Sequence, residues 1–463
     1  MPVHAPRTRE IPYSPDSERL FARLAARPGA VFLDSGRPVD TRGRFDIVAC
    51  DPRLEIECRG GRTVVRDRAG ERSSRRHPFQ ELREALGAVR AGPAGLPFAG
   101  GAIGYFGYDL GRTLDDLPGG GGTVDDLPEM AVGIYDWALV VDHARRRSQI
   151  VTMAERSRDA PWPEGAELLM SGVHDGERDP PFTVLRRLEV DMTFEDYARC
   201  FRRIKTYIRD GDCYQVNFAQ RFSAPAQGDP WALYRTLRRL SPAPFSAYLR
   251  VSDGAILCSS PERFLHLRGG RVETRPIKGT RRRVADRRLD RRIGAELRTS
   301  AKDRAENLMI VDLLRNDLGK VCATGSVRVP GLFRVESYAN VHHLVSSVTG
   351  KLAPGADALD LLRACFPGGS VTGAPKRRAM QIIAELEPRG RGVYCGSIGY
   401  IGCDGAMDTN IAIRTMVFSR GLLRLWAGGG IVADSTLEGE YAESLDKAAG
   451  MVQAAEVFAP AGH

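Results

Sequence analysis

The chain has 463 residues, 43% hydrophobic and 27% charged, with a formal net charge of +9. That length and balance suit about two or three globular domains and exclude a disordered, collagen-like or disulfide-bound miniprotein. The positive balance comes from arginines that are spread thinly and alternate with acids, and short runs such as 281–283 lack interleaved aromatics, so it reads as a solvated surface with no nucleic-acid partner.

Of the 67 basic residues only seven are lysine: Lys205, Lys278, Lys302, Lys320, Lys351, Lys376 and Lys447. A solvated surface accepts either cation, so each lysine raises the question whether its site needs a compact amine that can lose its proton. The nine cysteines form no C-x-x-C pair, which supports neither a disulfide framework nor a zinc site. Residues 1–20 lack the apolar core of a signal peptide, and no stretch approaches 18 apolar residues, so no membrane span and a cytoplasmic location are expected.

Residues 1–185 read as an N-terminal region. Strands are expected at 45–49 and 62–66, a short helix at 79–90, and a long strand at 134–141. The glycine-rich stretch 100–107 fits no dinucleotide fingerprint, since no βαβ unit surrounds it; close backbone packing is the expectation. A loop follows at 119–122, and residues 155–190 read as a surface connection. The second region, 190–452, opens with a capping-box pattern at Thr193–Asp196 and a helix to about Arg209, with Phe201, Ile204, Tyr207 and Ile208 along one side. Gly211 stops that helix, and a strand is expected from Cys213 to Phe222. Strands and helices then mix without βαβ alternation, which predicts an α+β fold with a mainly antiparallel sheet and helices packed outside it.

Polar residues concentrate in five segments of the second region. Glu262, just past the strand 255–258, is either a solvated turn residue or a positioned acid. Lys278 stands between a proline-fixed extended segment and Gly279; it is either a structural ion-pair partner or an amine whose pKa is lowered for nucleophilic or base chemistry. Asp303 and Glu306 share a helical face by their i, i+3 spacing, as do Glu440, Glu443 and Lys447 on a C-terminal helix 438–452. One such stripe is ordinarily a solvated face; two could converge on a hard cation such as magnesium. Residues 366–376 resemble a phosphate-binding loop, but Ala374 stands where its lysine must be and Pro375 removes a donor, so ATP binding is not expected. Gly373 to Lys376 could still open a helix toward an anion. Strands are expected at 408–415 and 426–432, and Arg414 on the first calls for a partner such as a carboxylate.

Together these segments resemble the chorismate-utilising enzymes, the family of anthranilate, aminodeoxychorismate, isochorismate and salicylate synthases. The resemblance is strongest from Gly211 to Lys447 and implies a large antiparallel β-sandwich with peripheral helices. Members that deliver water carry lysine at the position of Gln215, and anthranilate synthases carry alanine at that of Lys278; Gln215 with Lys278 matches the members that aminate chorismate at C4. The resemblance implies Mg²⁺ held by Glu306 and Glu443, with Asp303 and Glu440 in support. It implies Lys278 as nucleophile at C2, Glu262 as general acid for the C4 hydroxyl, and ammonia entering at C4. Tyr394, Arg414, Gly429, Lys447, Gln215, Thr372 and Gly373 match substrate-binding positions, and His343 a histidine near the reacting ring.

No cysteine stands in a G-x-C-x-G context, so a separate glutamine amidotransferase subunit is expected to supply ammonia. Residues 453–463 form a short Ala/Pro tail with no lyase domain, so the expected product is the aminated ring. Where tryptophan-inhibited anthranilate synthases carry Leu-Leu-Glu-Ser, this chain has Phe32-Leu33-Asp34-Ser35.

Overall fold

The structure is a computed structural model, and it describes residues 6–460 apart from 38–42, 90–91, 93–94, 116–126, 153–160, 172–180 and 339. Two antiparallel sheets, of 13 and 12 strands, face each other. The expected α+β sandwich with outer helices is the observed architecture. Alternation along the strands explains the layering. In Trp137–Asp142, Ala138 and Val140 point into the core shared by both sheets, while Trp137, Leu139 and Val141 enter a second core. That second core lies under the helices 164–170, 231–240 and 437–456. Both faces of such a strand are therefore buried, and its sequence reads as a continuous apolar run.

The expected strand 134–141 is two strands. Met130–Tyr135 belongs to the 12-stranded sheet and Trp137–Asp142 to the 13-stranded one, with the chain crossing at Asp136, which pairs with Arg53 at 3.0 Å. An uninterrupted apolar run carries no mark of such a crossing. The expected strand 408–415 divides the same way: Met407–Asn410 lies in one sheet and Thr415–Ser419 in the other. A third crossing separates Gly254–Ser260 from Arg263–Arg268.

The remaining expectations fare variously. Helices form at Pro78–Leu86 and, behind a complete Thr193–Asp196 capping box, at Phe194–Arg209. Gly101–Phe106 is a strand in which a side chain on Gly104 would meet the Ala131 carbonyl oxygen at 2.2 Å, so close backbone packing is its use. The stretch 155–190 is more than a surface connection: its described part contains the helix Glu164–Met170, which buries Ala166 and Leu169, and short strands at Phe182–Val184 and Glu189–Val190. The 119–122 loop lies outside the described residues. Strands from both sides of residues 185–190 share the sheets: Val31–Asp34 pairs with Phe245–Val251, and Gly101–Phe106 with Ser397–Gly402. Among the described residues no helix is long and apolar enough to cross a membrane.

Candidate active site

The site forms where the chain crosses between the sheets. Glu262 sits on one crossing and residues 411–414 on another, and backbone bonds lace them together. Ile411 N–H donates to the Glu262 carbonyl at 3.0 Å, and Ser259 N–H to the Arg414 carbonyl at 3.0 Å. The Ser260 hydroxyl adds a bond to the Ile411 carbonyl at 2.6 Å. Arg414 adopts a left-handed conformation (φ 50°) and is half-buried, and its guanidinium has no hydrogen bond or ion pair among the described residues.

Lys278 lies on the strand Ile277–Arg282 and donates to the Ser370 carbonyl at 3.4 Å. Burial lowers its ammonium pKa, and the Lys447 cation lowers it further, against the attraction of Glu306, Glu262 and Glu443. Burial acts oppositely on Glu262: it lifts the carboxyl to about 7, although hydrogen bonds from the Ser370 hydroxyl and the Ile277 N–H, together with Lys278, pull the other way. Ser370 thus touches both groups. The sequence reading passed over it, because a serine in a glycine-rich turn carries no signal of its own.

The carboxylates arrive from two helices. Ala301–Gly319, capped by Ser300, presents Asp303 and Glu306, and Leu437–Glu456, capped by Thr436, presents Glu440, Glu443 and Lys447. Glycines open space for them. A Cβ on Gly429 would stand 2.8 Å from Oε2 of Glu440, 3.5 Å from Oε1 of Glu443 and 3.7 Å from Nζ of Lys447. Lys447 pairs with Glu443 at 2.7 Å and donates to the Gly428 carbonyl at 2.9 Å. Asp303 pairs with Arg281 at 2.8 Å and lies against Gly279, whose φ of 80° and missing side chain let the carboxylate approach.

Like charges crowd here. Burial raises the Glu306 carboxyl, and Glu443 and Asp303 add to the rise; burial also raises Glu440, with Glu443 adding. Burial opposes ionisation of Glu443 too, but pairing with Lys447, together with the Lys278 and Lys302 cations, leaves that group below the usual range. Among the described residues no three His, Cys, Asp or Glu side chains form a ready-made metal cage. Two carboxylates with further acids behind them are, however, the oxygen-rich, partly filled donor set that Mg²⁺ takes, with water and substrate completing its shell.

The other expected site residues have the following surroundings. Gln215 is fully buried, and neither atom of its amide has a partner among the described residues; a Cβ on Gly430 would meet its Cδ at 2.9 Å. An amide left unpaired at that depth is costly unless a ligand completes it. His343 bonds Thr280, two residues from Lys278, at 2.8 Å. Tyr394 is buried and stacks on Trp426 with ring centroids 6.2 Å apart.

The segment 366–376 opens a helix, as expected: it begins at Lys376 behind Pro375, while Gly373 is used in strand pairing with Val216. Thr372 is likewise engaged by the chain itself, its hydroxyl bonding the Gly368 carbonyl at 3.1 Å and its carbonyl accepting from Asn217 N–H at 2.8 Å. Lys376 turns to the buried Asp317 and the Cys365 carbonyl, both at 2.7 Å, which ties this turn to the helix carrying Glu306.

Arg391, absent from the sequence reading, is the largest missed element. It is fully buried and bonds Glu387, the Val371 carbonyl at 2.8 Å and the Asn217 carbonyl at 2.5 Å. The one available signal was the i, i+4 spacing of Glu387 and Arg391. A separate cavity of about 330 Å³ is lined by Leu33, Asp34, Ser35, Phe45 and Phe245 among others. There Asp34 already accepts from Arg238 at 2.6 Å and Tyr234 at 2.9 Å.

The family model of the chorismate binding enzymes matches residues 29–453, and the chain belongs to that family. It is 46% identical over 447 residues to aminodeoxychorismate synthase component 1 of Klebsiella aerogenes, covering 96% of this chain and 97% of that one. Anthranilate synthase component 1 of Thermus thermophilus is more distant, at 39% identity over 442 residues and 94% of each chain. The crystal structure of anthranilate synthase component I from Streptococcus pneumoniae superposes with a TM-score of 0.79 at 34% identity, covering 89% of this chain and 92% of that one.

Proposed function

We propose that the chain is the large subunit of an aminodeoxychorismate synthase, converting chorismate and ammonia to 4-amino-4-deoxychorismate and water for 4-aminobenzoate and folate synthesis. The observation that carries this reading is the pairing of Lys278 with Glu262 across Ser370. Burial shifts the Lys278 amine toward its neutral form and the Glu262 carboxyl toward its protonated form, the states a nucleophile and a general acid need.

The residues act in sequence. The Lys278 amine forms a bond to C2 of the ring, both conjugated ring double bonds shift, and the C4 hydroxyl leaves as water with the proton of Glu262. Ammonia then bonds C4, both double bonds shift back, Lys278 departs from C2 as the free amine, and the new ammonium returns a proton to Glu262. Two allylic displacements thus replace one difficult one. Gln215 has no basic group to activate water, and its unpaired amide can hold a hydrogen-bonding partner; this favours amination over hydration. Arg414 and Lys447 offer cations to the carboxylates of the substrate, and His343 and Tyr394 border the ring. Mg²⁺ held by Glu306 and Glu443, with Asp303 and Glu440 in support, would bind the ring carboxylate and draw electron density from the ring. Ammonia comes from a glutamine amidotransferase partner, and free ammonia substitutes for it in vitro.

Product identification tests the reading. Chorismate, Mg²⁺ and an ammonium salt are expected to give 4-amino-4-deoxychorismate, which an added lyase converts to 4-aminobenzoate. Anthranilate as the main product would contradict it.

A further inference from the structure

Lys205 lies on the helix Phe194–Arg209, remote in sequence from every carboxylate of the site, and the reading above leaves it without a task. Its Nζ donates to three carbonyl oxygens of one turn: Val432 at 3.3 Å, Ser435 at 3.0 Å, and Ala433. Those three bonds use every donor an ammonium has, and its point-like charge suits convergent carbonyls better than a planar guanidinium would. In a chain where arginine otherwise dominates, this is a position whose geometry asks for lysine.

The turn it holds joins the strand Leu422–Ile431, which carries the glycine floor of the site, to the helix Leu437–Glu456. Bonds inside the turn pass its position onward. The Ser435 hydroxyl accepts from Val432 N–H at 3.0 Å and donates to Oε1 of Glu440 at 2.6 Å. Thr436 caps the helix by accepting from Gly439 N–H at 3.3 Å. The two helices also meet through Tyr441, whose ring lies 5.0 Å from Phe194 and 5.1 Å from Tyr197. Hydrophobic contact sets how closely the helices lie, while Lys205 fixes where the second one starts.

We propose that Lys205 is a positioning residue that clamps the turn 432–435 and so places Glu440 and Glu443 to receive a divalent cation. The inference rests on the assignment of those carboxylates to Mg²⁺ made above. Outer groups that orient metal ligands typically alter metal affinity by about 10- to 100-fold. Lys205 acts at one remove from Glu443, so the lower end applies.

Calorimetric titration of Mg²⁺ alone into the full-length chain tests the clamp, with the Mg²⁺ dependence of turnover as a second readout. Lys205→Met is expected to weaken Mg²⁺ binding about tenfold. Turnover at saturating Mg²⁺ and the unfolding midpoint without metal should stay near those of the unmodified chain. Lys205→Arg, which keeps the charge and the donors, should recover part of the loss, and it provides the comparison if the methionine variant does not fold. Equal Mg²⁺ affinity in the variants and the unmodified chain would overturn the clamp while leaving the metal assignment standing. An unmodified chain that binds no Mg²⁺ would overturn the metal assignment and the clamp together.

Discussion

Glu262 holds a proton at a pH where an ordinary glutamate has lost it, and that has a cost to the fold. Burial raises its carboxyl from 4.5 to about 7. Between those values the unfolded chain releases the proton before the folded one does, so stability falls as pH rises through the window and is level on either side. At roughly 1.4 kcal/mol per pH unit the loss amounts to about 3 kcal/mol above pH 7. Glu262→Gln keeps the shape and removes the ionisation. It is expected to be more stable than the unmodified chain at pH 8 by roughly that amount and equal to it at pH 4, as measured by urea unfolding. Its turnover, expressed per free ammonia, should fall by about 10²- to 10⁴-fold. The dependence on the Glu262 ionisation near pH 7 should vanish from its pH profile. Unchanged stability at pH 8 would show that the carboxyl is not held protonated by the fold.

Elements that carry the site are braced from behind by buried charge. Arg391 and Glu387 pair at 2.7 Å, and Arg391 also bonds the strand of Gln215 through Asn217 and the turn of Ser370 through Val371. Removing one partner leaves the other charge buried alone, so Arg391→Met is expected to cost about 3–5 kcal/mol of stability. The double variant with Glu387→Leu should recover most of it, because two apolar groups replace the pair; chemical unfolding of the three chains checks this. At this scale the sequence was legible wherever the signal is local. The Thr193 capping box, the Glu440–Glu443–Lys447 stripe and Gly279 beside Lys278 all read correctly, since each depends on neighbours within a turn of helix or a pair of residues. The crossings at Asp136 and at residues 411–414 did not, because an apolar run looks the same whether it stays in one sheet or changes sheets. Ser370 and Arg391 were missed for a related reason: apart from Glu387, four residues before Arg391, their partners lie about 20 to 170 residues away. Lys278 and Glu262 could be singled out as site residues through family resemblance; spacing alone left each of them with a bland alternative.

The whole molecule is woven from both halves of the chain. In each sheet a block of strands from residues 7–152 joins a block from residues 182–431 at one seam, and one core contains Ile103 and Val140 together with Leu265 and Val348. A division near residues 185–190 would expose strand edges on both sides. Thermal unfolding is therefore expected to give a single transition seen alike by far-ultraviolet dichroism and tryptophan fluorescence, and two separated transitions would contradict a shared core. The net +9 has a modest part in this picture, as a field that can favour approach of a dianionic substrate. The central claim is that Lys278 forms a bond to the ring, and intact-protein mass spectrometry addresses it most directly. With chorismate and Mg²⁺ but no ammonia, the chain is expected to gain the mass of chorismate less one water, located on the peptide containing Lys278, and Lys278→Ala to gain nothing. Continued formation of 4-amino-4-deoxychorismate by Lys278→Ala at the unmodified rate, with no adduct on the unmodified chain, would contradict the account.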